Sequence, residues 1–300
     1  MKIVSFNTYL APTMPGRYRR SHVIGQMVQD WMEDGVDVIA LQELNTMTIG
    51  PLGWLWFWLS LHVICPAWIQ RFVDVLIAVE GFLIPFCRDT SVMRTIIDCV
   101  HQKNSKLNNV WHCTPNHFPK RGPCSGLLII HRMPAESSGS ESMPTDIIHA
   151  PGVMWIRHSN GIIANVHLVP NLPSTKIQYK LVNAANKFRG INIKSTQQQS
   201  IKIIHRTVLK NIDHLDDSIV ITGDFNIGRR TDPFEYTMLK DIVDDTTHDQ
   251  ISTTHPLGLA HTNEDQIDYI FTNRVVACKC QAIYGALDAS DHYPVQAEIC

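Results

Sequence analysis

Two short polar strings beside apolar segments constrain this chain more than any other feature. Gly223–Asn226 reads GDFN and follows the apolar segment 218–222 (SIVIT), and Ser290–His292 reads SDH and precedes the segment 294–299 (PVQAEI). Both apolar segments predict β-strands. Alternate side chains at a strand end point to the same side, so the aspartate and the asparagine of GDFN are expected to reach one ligand. Polar residues at strand ends are typical of an active site on a sheet scaffold.

Four further apolar segments predict strands with polar residues at or near their ends. They are 2–6 (KIVSF) before Asn7, 36–41 (VDVIAL) before Gln42 and Glu43, 161–166 (GIIANV) before His167, and 266–271 (QIDYIF), which contains Asp268. In chain order the predicted strands therefore supply a set of carboxylate, amide and imidazole side chains: Asn7, Glu43, His167, Asp224, Asn226, Asp268, Asp291 and His292.

The order of these residues and strings resembles the endonuclease/exonuclease/phosphatase superfamily. Its members include DNase I-like nucleases, apurinic endonucleases, inositol phosphatases, deadenylases and neutral sphingomyelinases. The resemblance covers residues 1–43 and about 91–300. It implies one α/β domain over residues 1–300, built as a four-layered sandwich of two facing mixed β-sheets flanked by helices. The active site is expected at the top of this sandwich.

The resemblance also implies a hydrolytic centre that contains a divalent cation. Glu43, Asn7 and Asp291 are predicted to bind the metal, and Asp224 and Asn226 to hold the attacking water. Carboxylate and amide oxygens without cysteine ligands suit a hard cation, so Mg²⁺ or Mn²⁺ is the predicted cofactor.

The remaining members of the set are predicted to contact the phosphate. Asp268 is the family-matched partner of His292, which acts either as a base on water or as a cation that stabilises phosphate. His167 is predicted to contact the phosphate or the leaving group, and Asn171 to contact the phosphate from the other side.

Residues 46–90 form a hydrophobic insertion that the family pattern does not explain. No Asp, Glu, Lys or Arg occurs from Thr46 to Gln70, and this stretch contains Trp54, Trp56, Trp58 and Trp68, four of the seven tryptophans of the chain. A packed helical pair and a membrane-facing hairpin are both compatible with it, and tryptophan is favoured at the membrane interface. A single membrane crossing is excluded if Glu43 and Asp224 share one site.

Composition limits the partners of the chain. The net charge of -2 argues against nucleic-acid binding by bulk charge, although two local basic clusters, Arg17 to Arg20 and Arg229 with Arg230, are candidates for phosphate contact or for solvated loops. We expect no secretory signal, because the first predicted strand already begins at residue 2. We therefore expect an intracellular, cytoplasmic monomer, peripheral on membranes, whose 8 cysteines are reduced.

Together these features favour a Mg-dependent phosphodiesterase that acts on a membrane phospholipid such as sphingomyelin. The alternatives are a Mg-dependent endonuclease or exonuclease acting on DNA or RNA, and a membrane-docking scaffold without enzymatic activity.

The pattern of apolar residues also predicts elements between the site residues. Helices are expected over 21–34, with Ser21 as N-cap, from Ser91 onward, and over 199–215. Asn160 and Gly161 predict a hairpin turn, and the polar segment Ser137–Ser142 is expected to be a loop.

Overall fold

A computed structural model gives the architecture of the chain. It describes residues 1–10, 17–44, 91–107, 110–116, 126–144, 152–159, 161–170, 187, 190–214, 216–246, 266–273, 280–283 and 289–299. The strands are β1 (Lys2–Asn7), β2 (Val38–Gln42), β3 (His112–Pro115), β4 (Leu128–His131), β5 (Ser137–Ser142), β6 (Gly152–His158), β7 (Gly161–His167), β8 (Ser218–Asp224), β9 (Asp244–Asp245), β10 (Asp268–Thr272), β11 (Cys280–Ala282) and β12 (Val295–Glu298). The helices are α1 (Arg17–Glu33), α2 (Ser91–Leu107), α3 (Ile193–Lys210) and α4 (Pro233–Leu239).

The strands form two six-stranded mixed sheets. The first has the order β11-β12-β1-β2-β4-β3, and the second has the order β5-β6-β7-β8-β10-β9. Each sheet contains one parallel pair at its centre, β1 with β2 and β7 with β8, and its other pairs are antiparallel. The central strands are buried on both faces, as their nearly continuous apolar sequences predict.

Three apolar cores define four layers. One core packs α1 and α2 on the outer face of the first sheet and includes Ile24, Val28 and Ile96. A second packs α3 and α4 on the second sheet, and the third lies between the sheets, with Ile3 and Ile163 from opposite sides. This arrangement confirms the predicted sandwich of two facing mixed sheets flanked by helices.

Most predicted elements occur, but three differ in their bounds or type. Ser21 lies inside α1, which already begins at Arg17, and its hydroxyl donates to the Tyr18 carbonyl. Helix α3 begins at Ile193, where the Asn192 side chain accepts a hydrogen bond from the Ser195 backbone N–H. The segment Ser137–Ser142 is a strand rather than a loop, because it pairs along its whole length with β6.

Three sequence predictions concern residues outside the described ranges: the insertion at 46–90, the phosphate contact by Asn171, and Asn160 of the predicted hairpin turn. No helix in the described part of the chain combines the length and the apolar character needed to cross a membrane.

Candidate active site

Three strained turns lie at strand ends on the same edge of the sandwich. Tyr9, Glu43 and Asn226 have positive φ angles of 47°, 56° and 50°, and no other residue apart from glycine does so in the described ranges. They follow β1, β2 and β8 within two residues. Left-handed backbone is unfavourable for residues with a side chain and clusters at functional sites. The three turns therefore mark the edge where the site lies.

Asn7, the last residue of β1, links the two sheets. Its Nδ2 donates to Glu43 Oε1 at 3.1 Å and to Asp224 Oδ2 at 2.8 Å. Its Oδ1 accepts a hydrogen bond from the Tyr9 backbone N–H at 3.0 Å. Asn7 thus fixes a carboxylate from each sheet and also stabilises the turn after β1.

Asp224, the last residue of β8, is held at both oxygens. Oδ1 accepts a hydrogen bond from the Asn226 backbone N–H at 2.8 Å, and Oδ2 is the atom bound by Asn7. The Asn226 amide donates to the Leu168 carbonyl at 2.9 Å. In the sheet, Asp224 lies between its register partners His167 on β7 and Asp268 on β10. Adjacent strands therefore place three polar side chains in one row.

The two histidines approach Asp224 from different elements. His167 Nε2 lies 3.3 Å from Glu43 Oε1 and 3.9 Å from Asp224 Oδ2. His292 Nε2 also lies 3.9 Å from Asp224 Oδ2, while its Nδ1 lies 2.8 Å from Asp268 Oδ2. Both Nε2 atoms thus converge on one carboxylate oxygen.

Ser290 fixes the loop that carries the SDH string. Its hydroxyl donates to the Asn7 carbonyl at 2.6 Å and accepts a hydrogen bond from the His292 backbone N–H at 3.1 Å. Asp291 is buried beside it, with Oδ1 at 3.9 Å from His292 Nε2. Ser290 was not predicted as a site residue, because its role depends on a contact with a residue 283 positions away.

Burial and charge set the protonation states of the site. Burial raises the pKa of Glu43, but hydrogen bonds and positive charge from His167, Asn7 and His292 lower it to about 2. Burial lowers the pKa of His292, but Asp268, Asp224 and Asp291 raise it to about 10. Burial also lowers the pKa of His167, but the hydrogen bond and charge of Glu43, together with the charge of Asp224, raise it above its usual value.

Asp224 behaves differently from Glu43. Burial, reinforced by the negative charges of Asp268 and Glu43, raises the pKa of Asp224 to about 6, although both histidines oppose the shift. A carboxyl group in this range binds and releases a proton near neutral pH, as an acid–base group must.

The arrangement favours a cation. Two groups of side chains each offer three ligand atoms within 4.8 Å of one another: Glu43, His167 and Asp224, and Asp224, Asp268 and His292. Four carboxyl groups, including Asp291, here face two imidazole rings. The excess of negative charge and the oxygen donors fit a hard divalent cation.

Buried amides beneath the site hold the two sheets in register. The Gln42 side chain on β2 donates to Asn165 Oδ1 on β7 at 2.7 Å, and the Asn165 amide donates to the Leu41 carbonyl at 2.9 Å. Gln42 directly precedes Glu43, and Asn165 lies two residues before His167. The sequence placed Gln42 at a strand end but did not identify this link between the sheets.

All predicted site residues within the described ranges lie at this edge. They are Asn7, Glu43, His167, Asp224, Asn226, Asp268, Asp291 and His292.

The fold and this cluster define a class of protein: an α/β sandwich with carboxylates and histidines at strand ends of both sheets. A model of the endonuclease/exonuclease/phosphatase family matches residues 4–292. The chain therefore belongs to this family, which confirms the resemblance drawn from its motifs. A search of curated proteins found no significant match.

Solved structures share the fold at low identity. SmcL is 16% identical, with 99% of this chain and 98% of SmcL covered, at a TM-score of 0.62. A beta toxin variant from Staphylococcus aureus with bound magnesium ions is 17% identical, with 99% and 98% covered, at 0.57. A mannosyl-6-phosphatase from Bacteroides thetaiotaomicron is 13% identical, with 99% and 98% covered, at 0.53.

Proposed function

We propose that the chain is a Mg-dependent phosphodiesterase that hydrolyses its substrate by in-line attack of an activated water. The convergence of Asn7, His167 and His292 on Asp224 Oδ2, with Glu43 beside His167, carries this proposal. Phosphate-ester hydrolysis needs a base for water and positive charge around the phosphate, and this cluster supplies groups for both.

Glu43 and Asp291 are the proposed ligands of the divalent cation. The pKa of about 2 keeps Glu43 ionised at neutral pH. When bound, Mg²⁺ supplies positive charge that polarises a phosphate oxygen and offsets the charge that develops in the transition state. The magnesium ions in the S. aureus toxin structure support this choice of metal. Asn7 was also predicted as a ligand, but its amide N–H donates to Glu43 and its Oδ1 accepts from the Tyr9 backbone, so we propose that it positions Glu43 instead.

Asp224 is the proposed base. Its Oδ2 is the oxygen on which Asn7, His167 and His292 converge, and its raised pKa lets it accept a proton from water. The hydrogen bond from the Asn226 backbone holds the other oxygen and so fixes the orientation of the carboxylate.

His292 is the proposed phosphate-stabilising cation rather than the base. With a pKa of about 10, its ring is an imidazolium at neutral pH, and its Nδ1–H donates a hydrogen bond to Asp268. Nε2–H then remains to donate to a phosphate oxygen. His167, whose pKa is also raised, supplies a second positive charge beside Glu43.

A membrane phospholipid such as sphingomyelin is the proposed substrate. The hydrophobic insertion at 46–90 begins three residues after Glu43 in the sequence, so its first residues follow directly on a proposed metal ligand. Such a tryptophan-rich segment favours a membrane interface. The near-neutral net charge of -2 also suits a lipid surface better than a nucleic-acid backbone.

A substrate panel tests the proposal. Purified protein with Mg²⁺ is incubated with sphingomyelin vesicles, abasic duplex DNA, single-stranded RNA and inositol phosphates, and Asp224→Asn serves as the inactive control. We expect Mg-dependent release of the lipid headgroup that the variant lacks. Cleavage of DNA or RNA with intact vesicles would replace the lipid proposal with a nuclease. Absence of any turnover would favour the scaffold alternative.

A further inference from the structure

Arg20 contacts Tyr9, which lies two residues after Asn7 and has a positive φ angle. It lies in the first turn of α1, and its Nη2 donates to the Tyr9 carbonyl at 3.0 Å. Its Cζ lies 5.9 Å from the centre of the Tyr9 ring. This combination of a hydrogen bond and a cation–π contact fixes the guanidinium beside the end of β1.

The charge of Arg20 acts on the proposed metal ligands. Burial lowers the pKa of Arg20, while the negative charges of Asp291 and Glu43 raise it, together with Tyr9. The geometry agrees, because the Tyr9 backbone N–H donates to Asn7, whose amide donates to Glu43, so the hydrogen bond to the Tyr9 carbonyl places Arg20 at this end of β1. Within the described ranges, however, Arg20 forms no ion pair with a carboxylate, and its buried Nε has no hydrogen-bond partner.

A cation with a hydrogen-bond donor available beside a carboxylate site can bind an anionic substrate. The carboxylates of the site repel a phosphate ester, so each positive charge beside them favours its binding. Guanidinium groups bind phosphate oxygens through charge-assisted hydrogen bonds, often in bidentate geometry. Neither neighbouring arginine offers the same evidence, because Arg19 is exposed and the side chain of Arg17 lies outside the described part.

We infer that Arg20 is a further substrate-binding residue, which contacts a phosphate oxygen of the substrate beside the cation site. The inference deepens the proposed phosphodiesterase function and rests on it. Arg20 reaches the site from α1, independently of the strand ends that supply the other residues, so its charge adds to those of His167 and His292.

The inference predicts opposite effects on phosphate and on metal. Arg20→Gln should weaken binding of inorganic phosphate to the Mg-loaded protein about tenfold or more, because a charge-assisted contact is lost. The same variant should bind Mg²⁺ at least as tightly as the wild type, and by a few-fold more, because a positive charge leaves the neighbourhood of Asp291 and Glu43. Arg20→Lys should recover part of the phosphate affinity.

Isothermal titration calorimetry with Mg²⁺ and then with inorganic phosphate measures both effects without requiring turnover. Arg94→Ala is the matched control, because Arg94 is exposed on the adjacent helix α2. Unchanged phosphate affinity in a folded Arg20→Gln variant overturns the inference. The inference is also overturned if Arg20→Gln loses both phosphate and Mg²⁺ binding and has a lower melting temperature, and if Arg20→Lys does not restore them. That result would indicate a structural role for Arg20.

The calorimetry also separates this inference from the proposed function. If the wild-type protein hydrolyses no substrate of the panel, the proposed activity fails, but phosphate binding still tests Arg20. If the wild-type protein hydrolyses a substrate and Arg20→Gln leaves both KM and phosphate affinity unchanged, the inference fails alone.

Discussion

The Nδ1 atom of His292 lies 2.8 Å from Oδ2 of Asp268, and both side chains are almost completely buried. A buried imidazole without a charged partner would be neutral, because burial disfavours its charged form. Asp268, supported by Asp224 and Asp291, reverses this effect and raises the pKa of His292 to about 10. The pair therefore keeps a positive charge in the site throughout the neutral range.

The first prediction concerns Asp268→Asn. Without this carboxylate, burial lowers the pKa of His292 with less opposition, so that pKa should fall. The alkaline decline of turnover should therefore begin at a lower pH than in the wild type. NMR titration of the His292 ring and a pH–rate profile measure the two shifts. An unchanged ring titration in the folded variant contradicts the assignment.

The same pair should affect folding stability. The pKa of His292 is higher in the folded protein than the unfolded value of about 6.5. The folded state therefore binds the extra proton between these values, and the stabilisation is complete below about pH 6.5 and lost as the pH rises toward about 10. Urea unfolding at several pH values should show this decline in the wild type and a weaker one in Asp268→Asn.

The second prediction concerns Glu43→Gln. Losing the ionised carboxylate should raise the Mg²⁺ concentration needed for activity steeply, and a chelator should abolish wild-type activity until Mg²⁺ or Mn²⁺ is restored. Glu298→Gln, at an exposed position on β12, is the control and should keep the wild-type requirement. Full activity of the wild type in excess chelator would contradict the metal mechanism.

The third prediction concerns Asp224→Asn. An amide of nearly the same shape cannot accept the proton from water, so turnover should fall by about 10²–10⁴-fold, the usual contribution of an acid–base group. The variant should still fold, because the substitution removes the repulsion of Asp224 by the neighbouring carboxylates of Asp268 and Glu43. Steady-state kinetics and circular dichroism check both parts, and Asp98→Asn on the exposed side of α2 is the control. Retention of more than about a tenth of the activity refutes the role.

The fourth prediction concerns His131, which is buried at the carboxyl end of β4. Its ring stacks on His112 at 5.4 Å between centroids and contacts His158 edge-on at 5.7 Å. Burial, together with these two histidines, lowers the pKa of His131 to about 4, although a hydrogen bond to the Met133 carbonyl opposes the shift.

Acid should therefore destabilise the fold through His131. The unfolded chain binds a proton at about pH 6.5 but the folded ring binds one at about 4, so stability is complete above about 6.5 and falls as the pH drops toward 4. His131→Gln should reduce this acid sensitivity in urea unfolding, while His101→Gln, at an exposed position, should not. An equal slope in wild type and His131→Gln contradicts the prediction.

Local patterns predicted the parts of the fold that local physics determines. The central strands are apolar on both faces, and α1 and α2 have buried residues at helical spacing, such as Ile24 and Val28, or Ile96 and Val100. These signals lie within a few residues of one another, so they can be recognised in the sequence. Bringing Asp268 to His292 required the family resemblance, because the two residues are not neighbours in the sheet.

Non-local contacts determined what the sequence did not show. The polar segment Ser137–Ser142 is a strand because β6 offers it a complete set of backbone partners, and Gly139 leaves room for the Trp155 ring that lies against it. The positive φ of Tyr9 and its contact with Arg20 likewise depend on Asn7 and α1 together. Such positions have no periodic signal.

The last prediction concerns the insertion at 46–90, whose structure lies outside the described residues. Replacing Trp54, Trp56 and Trp58 with Ser should abolish binding to sphingomyelin vesicles and lipid turnover, because tryptophan rings favour the headgroup region. Hydrolysis of a small soluble phosphodiester should survive, because the catalytic set at the strand ends is unchanged. Vesicle sedimentation and the two activity assays separate these effects.

The triple substitution distinguishes the two hypotheses for this segment, a packed helical pair and a membrane-facing hairpin. If the variant fails to fold, the rings belong to a packed helical pair, and the Trp111→Phe variant, altered in the described core, gives the scale of an ordinary core defect. If the variant folds and still binds vesicles normally, the segment does not dock on membranes. Selective loss of lipid binding with retained soluble activity supports a membrane element whose root lies three residues from Glu43, where a docked lipid headgroup would meet the proposed metal ligands.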